Sequence, residues 1–444
     1  MLTPRQSLAN MLPLSLLATI LALASLAHGG SNGLGQTPQM GWSTWNAYGC
    51  EIDADIIIES AKQLADQMKP FGYEYLNIDD CWQAAERNAQ GVLEANKTRF
   101  PDGLKAVVDQ IHDLGLKAGI YSSAGTMTCG RKIGSLDHEE TDAQSWADAG
   151  FDYLKYDNCF AQGRSGTPQF SYDRYNKMAT ALNNTGRPIF YSLCNWGEDG
   201  PWNFASTIAN SWRISGDITN SFNREDDRCP CTSVVEGDCN TQGYHCSVEK
   251  IANFAAPLGQ KAAPGGWNDL DSLEVGVSVG EGLTLDESVT HFTLWSMMKS
   301  PLIQGPVFAD LSSQDRAVLT NEHVIAINQD PGSTPAIRLQ SGKQQVWQST
   351  LSNDSYAVAL VNFGESKWDV ELPLSEVFFD DRKLAKASWT AYDLWSDTDF
   401  QNPPRKPGQS KLQGMSVQGK LPRVELNPHQ TRVWKLTPKK HDEL

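Results

Sequence analysis

The sequence predicts an α/β fold, a (β/α)8 barrel, followed by a C-terminal antiparallel β-sandwich domain. Three observations carry this. A chain of 444 residues exceeds what one hydrophobic core usually organises. From about Gly33 to Pro331, short apolar runs alternate with amphipathic stretches in units of about 30 to 40 residues, with room for about eight units. After Asn328-Gln329-Asp330-Pro331-Gly332 the character changes to alternating strands divided by polar turns. A doubly wound open sheet is the structural alternative for the first part, although no Gly-rich nucleotide loop supports it.

Taken in order, YEYLNID (Tyr73 to Asp79), LKAGIYSS (Leu116 to Ser123), FDYLKYD (Phe151 to Asp157) and RPIFYSLC (Arg187 to Cys194) read as strands. Between them DADIIIESAKQLADQM, GLKAVVDQIHDLG and RYNKMATALNN place apolar residues at helical spacing. In the second part QQVWQSTL, SYAVALVNF, KWDVELPL and TRVWKLTP read as antiparallel strands. The expected boundaries are a signal peptide over 1–27, a (β/α)8 barrel over 28–331, a β-domain over 332–440 and an address signal over 441–444.

The first 30 residues hold Arg5, an apolar run from Leu12 to Leu26 and small residues at Ser25 and Ala27, the pattern of a cleaved signal peptide. The run is too short for a membrane span. The final His441-Asp442-Glu443-Leu444 is an address read by an ER retrieval receptor. The ER lumen is therefore the expected compartment, with secretion as the alternative. Three Asn-x-Ser/Thr sequons, at Asn96, Asn183 and Asn353, are candidate glycosylation sites in the same pathway. A net charge of −16 argues against a nucleic-acid partner, because phosphate binding needs clustered Lys and Arg.

Nine cysteines in an oxidising compartment form disulfides, and an odd number leaves at least one thiol unpaired. The tight cluster Cys229, Cys231, Cys239 and Cys246 admits a zinc reading, but behind a signal peptide two disulfides are favoured. A nested pairing, 229–246 and 231–239, is the expectation.

Polar groups gather where the predicted strands end. These are Asp79 and Asp80, Tyr121, Lys155 and Asp157, Cys194 and Trp196, and Arg213 with Asp217. The C-terminal ends of barrel strands form the active-site face, with groups donated by several strands. One such Asp is more often a helix N-cap, but caps do not explain five strands at once. There is no His-x-x-x-His pair, Gly-x-Ser-x-Gly elbow or phosphate loop, so no metal, nucleotide or other cofactor is implied. The most economical chemistry among those left is a carboxylate pair acting on an acetal. Trp42, Trp45, Tyr121 and Trp196 would stack on the apolar face of a sugar.

MGWSTWNAYGC, YLNIDDCW, YLKYDNC, SWRISGDI and GGWNDLDSLEVG, in this order, resemble glycoside hydrolase family 27, the α-galactosidases and α-N-acetylgalactosaminidases. The resemblance runs from about residue 34 to 330, and the β-domain resembles the family's C-terminal domain. It implies Asp157 as nucleophile and Asp217 as acid/base, in a retaining mechanism that needs carboxyl groups about 5 to 5.5 Å apart. It implies Asp79 and Asp80 at the 4- and 6-hydroxyls, Lys155 at O3 and O4, Arg213 near O2, and Trp42, Tyr121 and Asp271 around the pocket. It implies Cys50–Cys81 and Cys129–Cys159 bridges in the rim, with Cys194 the free thiol. A Lys155 ammonium beside Asp157 is expected to favour the ionised nucleophile.

Cys194 and Trp196 resemble the bulky pair that closes on an unsubstituted 2-hydroxyl, and Trp196 should exclude an acetamide. Ser272 departs from the Met common in the family beside Asp271, which leaves C6 and aglycone preference open. The implied function is a retaining exo-α-galactosidase releasing terminal α-D-galactose from oligosaccharides, galactomannans or glycoconjugates. α-N-Acetylgalactosaminidase and β-L-arabinopyranosidase are the near alternatives. A non-catalytic galactose-binding ER protein is the distant one.

Overall fold

The computed structural model describes residues 32–229, 246–278 and 282–439. The signal-peptide and His441-Asp442-Glu443-Leu444 readings lie outside these residues. Eight parallel strands form the first sheet: β1 Met40–Ser43, β2 Tyr75–Asn77, β3 Lys117–Ser123, β4 Tyr153–Asp157, β5 Phe190–Cys194, β6 Ser211–Arg213, β7 Trp267–Asp269 and β8 Leu302–Gln304. Their order is β7-β6-β5-β4-β3-β2-β1-β8. A parallel bridge between Leu273 and Gln304 joins the two ends, so the sheet closes into a barrel.

The period of two along each strand sorts core from site. On β4, Leu154 and Tyr156 point out into the core between barrel and helices, while Tyr153, Lys155 and Asp157 point in. At the N-terminal end the interior is plugged by Tyr75, Tyr153 and Phe190, the last two stacked at 5.1 Å. That plug needs glycine nearby: a Cβ on Gly119 would meet Asn77 Oδ1 at 1.9 Å. The helices follow the predicted runs: Ala54–Gln67, capped by Asp53, Gly103–Asp113 and Pro168–Asn184, capped by Thr167. Each lays its apolar stripe on the barrel.

Beyond the barrel come β9 Ile337–Gln340, β10 Gln344–Leu351, β11 Ser355–Asn362, β12 Trp368–Val370, β13 Ser388–Asp393, β14 Gly414–Gln418, β15 Val424–Leu426 and β16 Thr431–Pro438. Six of them form one sheet in the order β14-β13-β16-β11-β10-β9, and β12 pairs with β15 in a small second sheet. The sandwich core lies between them, with Val346, Val358, Leu360, Trp389, Trp434 and Leu426. The opposite face of the large sheet, with Trp347, Ala357, Ala359, Val361 and Val433, joins the core of the barrel. β11 is therefore buried on both faces, which is why SYAVALVN is apolar without alternation.

The structure contains Cys50–Cys81, Cys129–Cys159 and Cys229–Cys246 disulfides. The expected 231–239 pair lies outside the described residues. Cys194 is free and buried. Asn183 and Asn353 are exposed; Asn96 is half-buried, and its Oδ1 accepts from the Thr98 N–H at 3.0 Å.

Candidate active site

A cavity of about 860 Å³ opens at the C-terminal ends of the barrel strands. It collects Asp79, Asp80, Tyr121, Lys155, Asp157, Cys194, Trp196, Arg213, Asp217 and Asp271, all singled out from sequence. The strand ladders are shorter than the apolar runs suggested. Asp79 and Asp80 sit two and three residues beyond β2, and Asp217 lies beyond β6, so the site is built on the exits of strands as well as their last residues.

Asp157 ends β4 and is 5% exposed. Its Oδ2 accepts from the Tyr121 hydroxyl at 2.7 Å and its Oδ1 from the Asn158 N–H at 2.8 Å. Burial raises its pKa to about 6, against the opposing pull of Lys155 and with a further push from the Asp217 charge. Lys155 favours the ionised carboxylate, as expected, but desolvation outweighs it. The Lys155 ammonium pairs directly with Asp79 Oδ2 at 2.9 Å rather than with Asp157. Burial opposes that ammonium, yet Asp79 and Asp157 together hold its pKa well above the usual lysine value.

Asp217 is the contrasting carboxylate, with a side chain 40% exposed and its Oδ1 3.0 Å from Arg213 Nη2. Arg213 is only 4% exposed; the same Nη2 lies 2.8 Å from Asp271 Oδ2, and its Nη1 reaches Cys194 Sγ at 3.6 Å. Asp271 Oδ2 also accepts from the Ile218 N–H at 2.8 Å, tying the Asp217 loop to the loop after β7. Asp80 is held by the N–H groups of Cys81 and Gly130 at 2.7 and 2.6 Å, although burial still raises its pKa. Burial also pushes the Cys194 thiol well up, so it lines the cavity as an unreactive neutral group.

Trp196 has φ 56° and is 7% exposed, packed with Cys194 against the Cys129–Cys159 bridge. Gly197, at φ 81°, is required beside it, because a Cβ there would meet Ile214 O at 2.1 Å.

Trp42 does not line the cavity, contrary to expectation. On β1 it pairs beside Leu76, so its ring points out of the barrel; it is fully buried against Phe308 and Tyr48, and its indole N–H donates to Pro306 O at 2.8 Å. The inward residue is Ser43, whose Oγ donates to Asp79 Oδ2 at 3.2 Å, and Trp45 just beyond the strand supplies the aromatic wall. Sequence reasoning also missed Asn46, on the short helix Thr44–Tyr48, and Arg131, Asn158, Phe160 and Glu198, which line the cavity from loops. Among the described residues no group of three or more His, Cys, Asp or Glu is arranged to hold a metal ion. No helix among them is long and apolar enough to cross a membrane.

Comparison with known proteins places this architecture. Residues 37–330 match the family described as alpha galactosidase A, and residues 341–436 the alpha galactosidase C-terminal beta sandwich domain. The chain is 48% identical over 379 residues to alpha-galactosidase mel1 of Schizosaccharomyces pombe, covering 83% of this chain and 86% of the relative. The crystal structure of alpha-galactosidase I from Mortierella vinacea superposes with a TM-score of 0.83 at 45% identity, covering 92% of this chain and 99% of that one. The Saccharomyces cerevisiae alpha-galactosidase solved with raffinose superposes at 0.84 with 39% identity, covering 93% and 100%. With both domains matched and a cavity of paired carboxylates at the mouth of the barrel, the chain belongs to the melibiase family of α-galactosidases, glycoside hydrolase family 27.

Proposed function

We propose that this chain is a retaining exo-α-galactosidase that releases terminal α-D-galactose from oligosaccharides, galactomannans or glycoconjugates by double displacement. The observation that carries the reading is the pairing, in one cavity, of a buried, doubly hydrogen-bonded carboxylate with a half-exposed one. Asp157, aimed by Tyr121 and the Asn158 N–H, attacks the anomeric carbon and forms the glycosyl-enzyme. Asp217, open to solvent beside Arg213, protonates the departing oxygen and then takes a proton from the water that hydrolyses the intermediate. Asp79, Asp80 and Lys155 hold the hydroxyls on the far side of the sugar. Trp196 closes on the 2-position, where an acetamide would need its space. Raffinose bound to the yeast relative supports an oligosaccharide substrate.

The chain acts in the secretory pathway, with residues 1–27 removed as a signal peptide, residues 28–331 and 332–440 as its two domains, and His441-Asp442-Glu443-Leu444 engaging the retrieval receptor. Exposed Asn183 and Asn353 are the sequons best placed for glycosylation. Deleting the last four residues is expected to move the protein from cell lysate to medium.

The decisive experiment compares hydrolysis of p-nitrophenyl α-D-galactopyranoside by the wild type and Asp157→Asn, with the N-acetylgalactosaminide alongside. Turnover of the galactoside alone, abolished in Asp157→Asn, is expected. A folded wild type that binds galactose without turnover would sink the enzyme reading.

A further inference from the structure

The loop after β5 and the residue after Asp157 meet through one buried hydrogen bond. Asn158 Nδ2 donates to Glu198 Oε2, and the two residues are 3% and 2% exposed. The other end of the same amide, Asn158 Oδ1, accepts from Arg174 Nη2 and from the Tyr175 hydroxyl. An amide whose oxygen faces two donors must present its NH₂ to an acceptor, and Glu198 is that acceptor. Its second oxygen, Oε1, is buried with no hydrogen-bond partner, an arrangement that costs stability. The Asn158 backbone N–H is one of the two donors that aim the Asp157 carboxylate. Glu198 also belongs to the Trp196 loop: its N–H donates to Asn195 O at 2.9 Å, and Asn195 Nδ2 donates to Glu198 O at 3.0 Å. That loop takes positive φ at Trp196, Gly197, Asp199 and Gly200, a shape that surrounding contacts must enforce.

We propose that Glu198 is a positioning residue which, through the Asn158 side chain, holds the Asp157 carboxylate in line for attack and locks the Trp196 loop to the nucleophile strand. The inference rests on Asp157 being the nucleophile of an α-galactosidase. Glu198 acts through the Asn158 amide; it fixes the peptide whose N–H does the aiming.

The test is kinetics on p-nitrophenyl α-D-galactopyranoside for Glu198→Ala, Glu198→Gln, Asn158→Ala and the double variant Glu198→Ala/Asn158→Ala. Competitive inhibition by free galactose is measured on each. Glu198→Ala is expected to lower kcat by about tenfold or more while galactose inhibition moves by no more than about twofold. Glu198→Gln, which keeps an acceptor oxygen, should stay within about threefold of wild type, and the double variant should be no worse than Asn158→Ala alone. If Glu198→Ala does not fold, Glu198→Met, matched in shape but unable to accept, carries the same expectations. Unchanged kcat in the Ala or Met variant overturns the proposal. So do equal losses of kcat and galactose binding, or additive losses in the double variant. An inactive wild type would instead overturn the α-galactosidase reading, and this inference with it.

Discussion

At the scale of single residues, Asp157 is ionised against the preference of its surroundings. Its folded pKa of about 6 lies above the ordinary 3.8, so the folded state binds that proton more tightly than the unfolded chain does. The resulting penalty is absent below about pH 4, grows as pH rises through 6, and is complete at neutrality. Asp157→Asn should therefore melt higher than wild type at pH 7, by about 1 to 3 kcal/mol of stability, and lose that advantage at pH 4. Calorimetry at the two pH values checks this; an advantage equal at both would show that the charge is not the cause. As the proposed nucleophile, which attacks only as the carboxylate, the same group should place the acid limb of kcat/KM near pH 6. Trp42 shows how one residue eludes a sequence reading. It lies on the strand that pairs with the one leading to Asp79 and Asp80, but alternation along β1 sends it to the outer core and leaves Ser43 facing the cavity.

At the scale of elements, the exits of β3 and β4 frame Asp157, the proposed nucleophile, and two different devices hold them together. One is the Cys129–Cys159 bridge, across a sequence separation of 30. The other is a run of direct bonds: Ala124 N–H to Asp157 O at 2.8 Å, Thr126 N–H to Phe160 O at 3.2 Å, and Ser123 Oγ to Cys159 O at 3.0 Å. Gly125 lets the loops approach this closely, since a Cβ there would meet Cys159 O at 1.8 Å. The bridge acts mainly by restricting the unfolded chain, so Cys129→Ala/Cys159→Ala should cost about 3 to 4 kcal/mol at most. The backbone bonds remain, and kcat of the folded double variant should stay within a few-fold of wild type. Thermal melts and steady-state kinetics check the pair of outcomes; a collapse of kcat in a folded variant would show that the bridge itself sets the geometry. The loops were less legible than the strands. β14, Gly414–Gln418, exposes four of its five residues and exists because β13 offers it a ladder, which no local pattern of apolar residues announces.

At the scale of the whole molecule, barrel and sandwich share a core and are not beads on a linker. Trp395 donates its indole N–H to Thr293 Oγ1 at 3.1 Å, and His429 Nδ1 lies 2.6 Å from Glu287 on the helix Leu285–Met297. The sheet face with Trp347, Ala359 and Val361 completes the barrel's apolar packing. A chain ended at Pro331 would expose that surface, and it should aggregate during expression where the full chain stays monodisperse in size-exclusion chromatography. A soluble, active barrel alone would mean that the interface is dispensable. What the sequence determined by itself was the alternation of elements, the change to antiparallel strands after residue 331, and the acids at strand ends. Those follow from local periodicity and from side-chain chemistry read in place. Which face each residue takes, that burial outweighs Lys155 at Asp157, and that Asn158 and Glu198 meet were decided only by the tertiary structure, because each depends on neighbours distant in the chain and on the water they exclude.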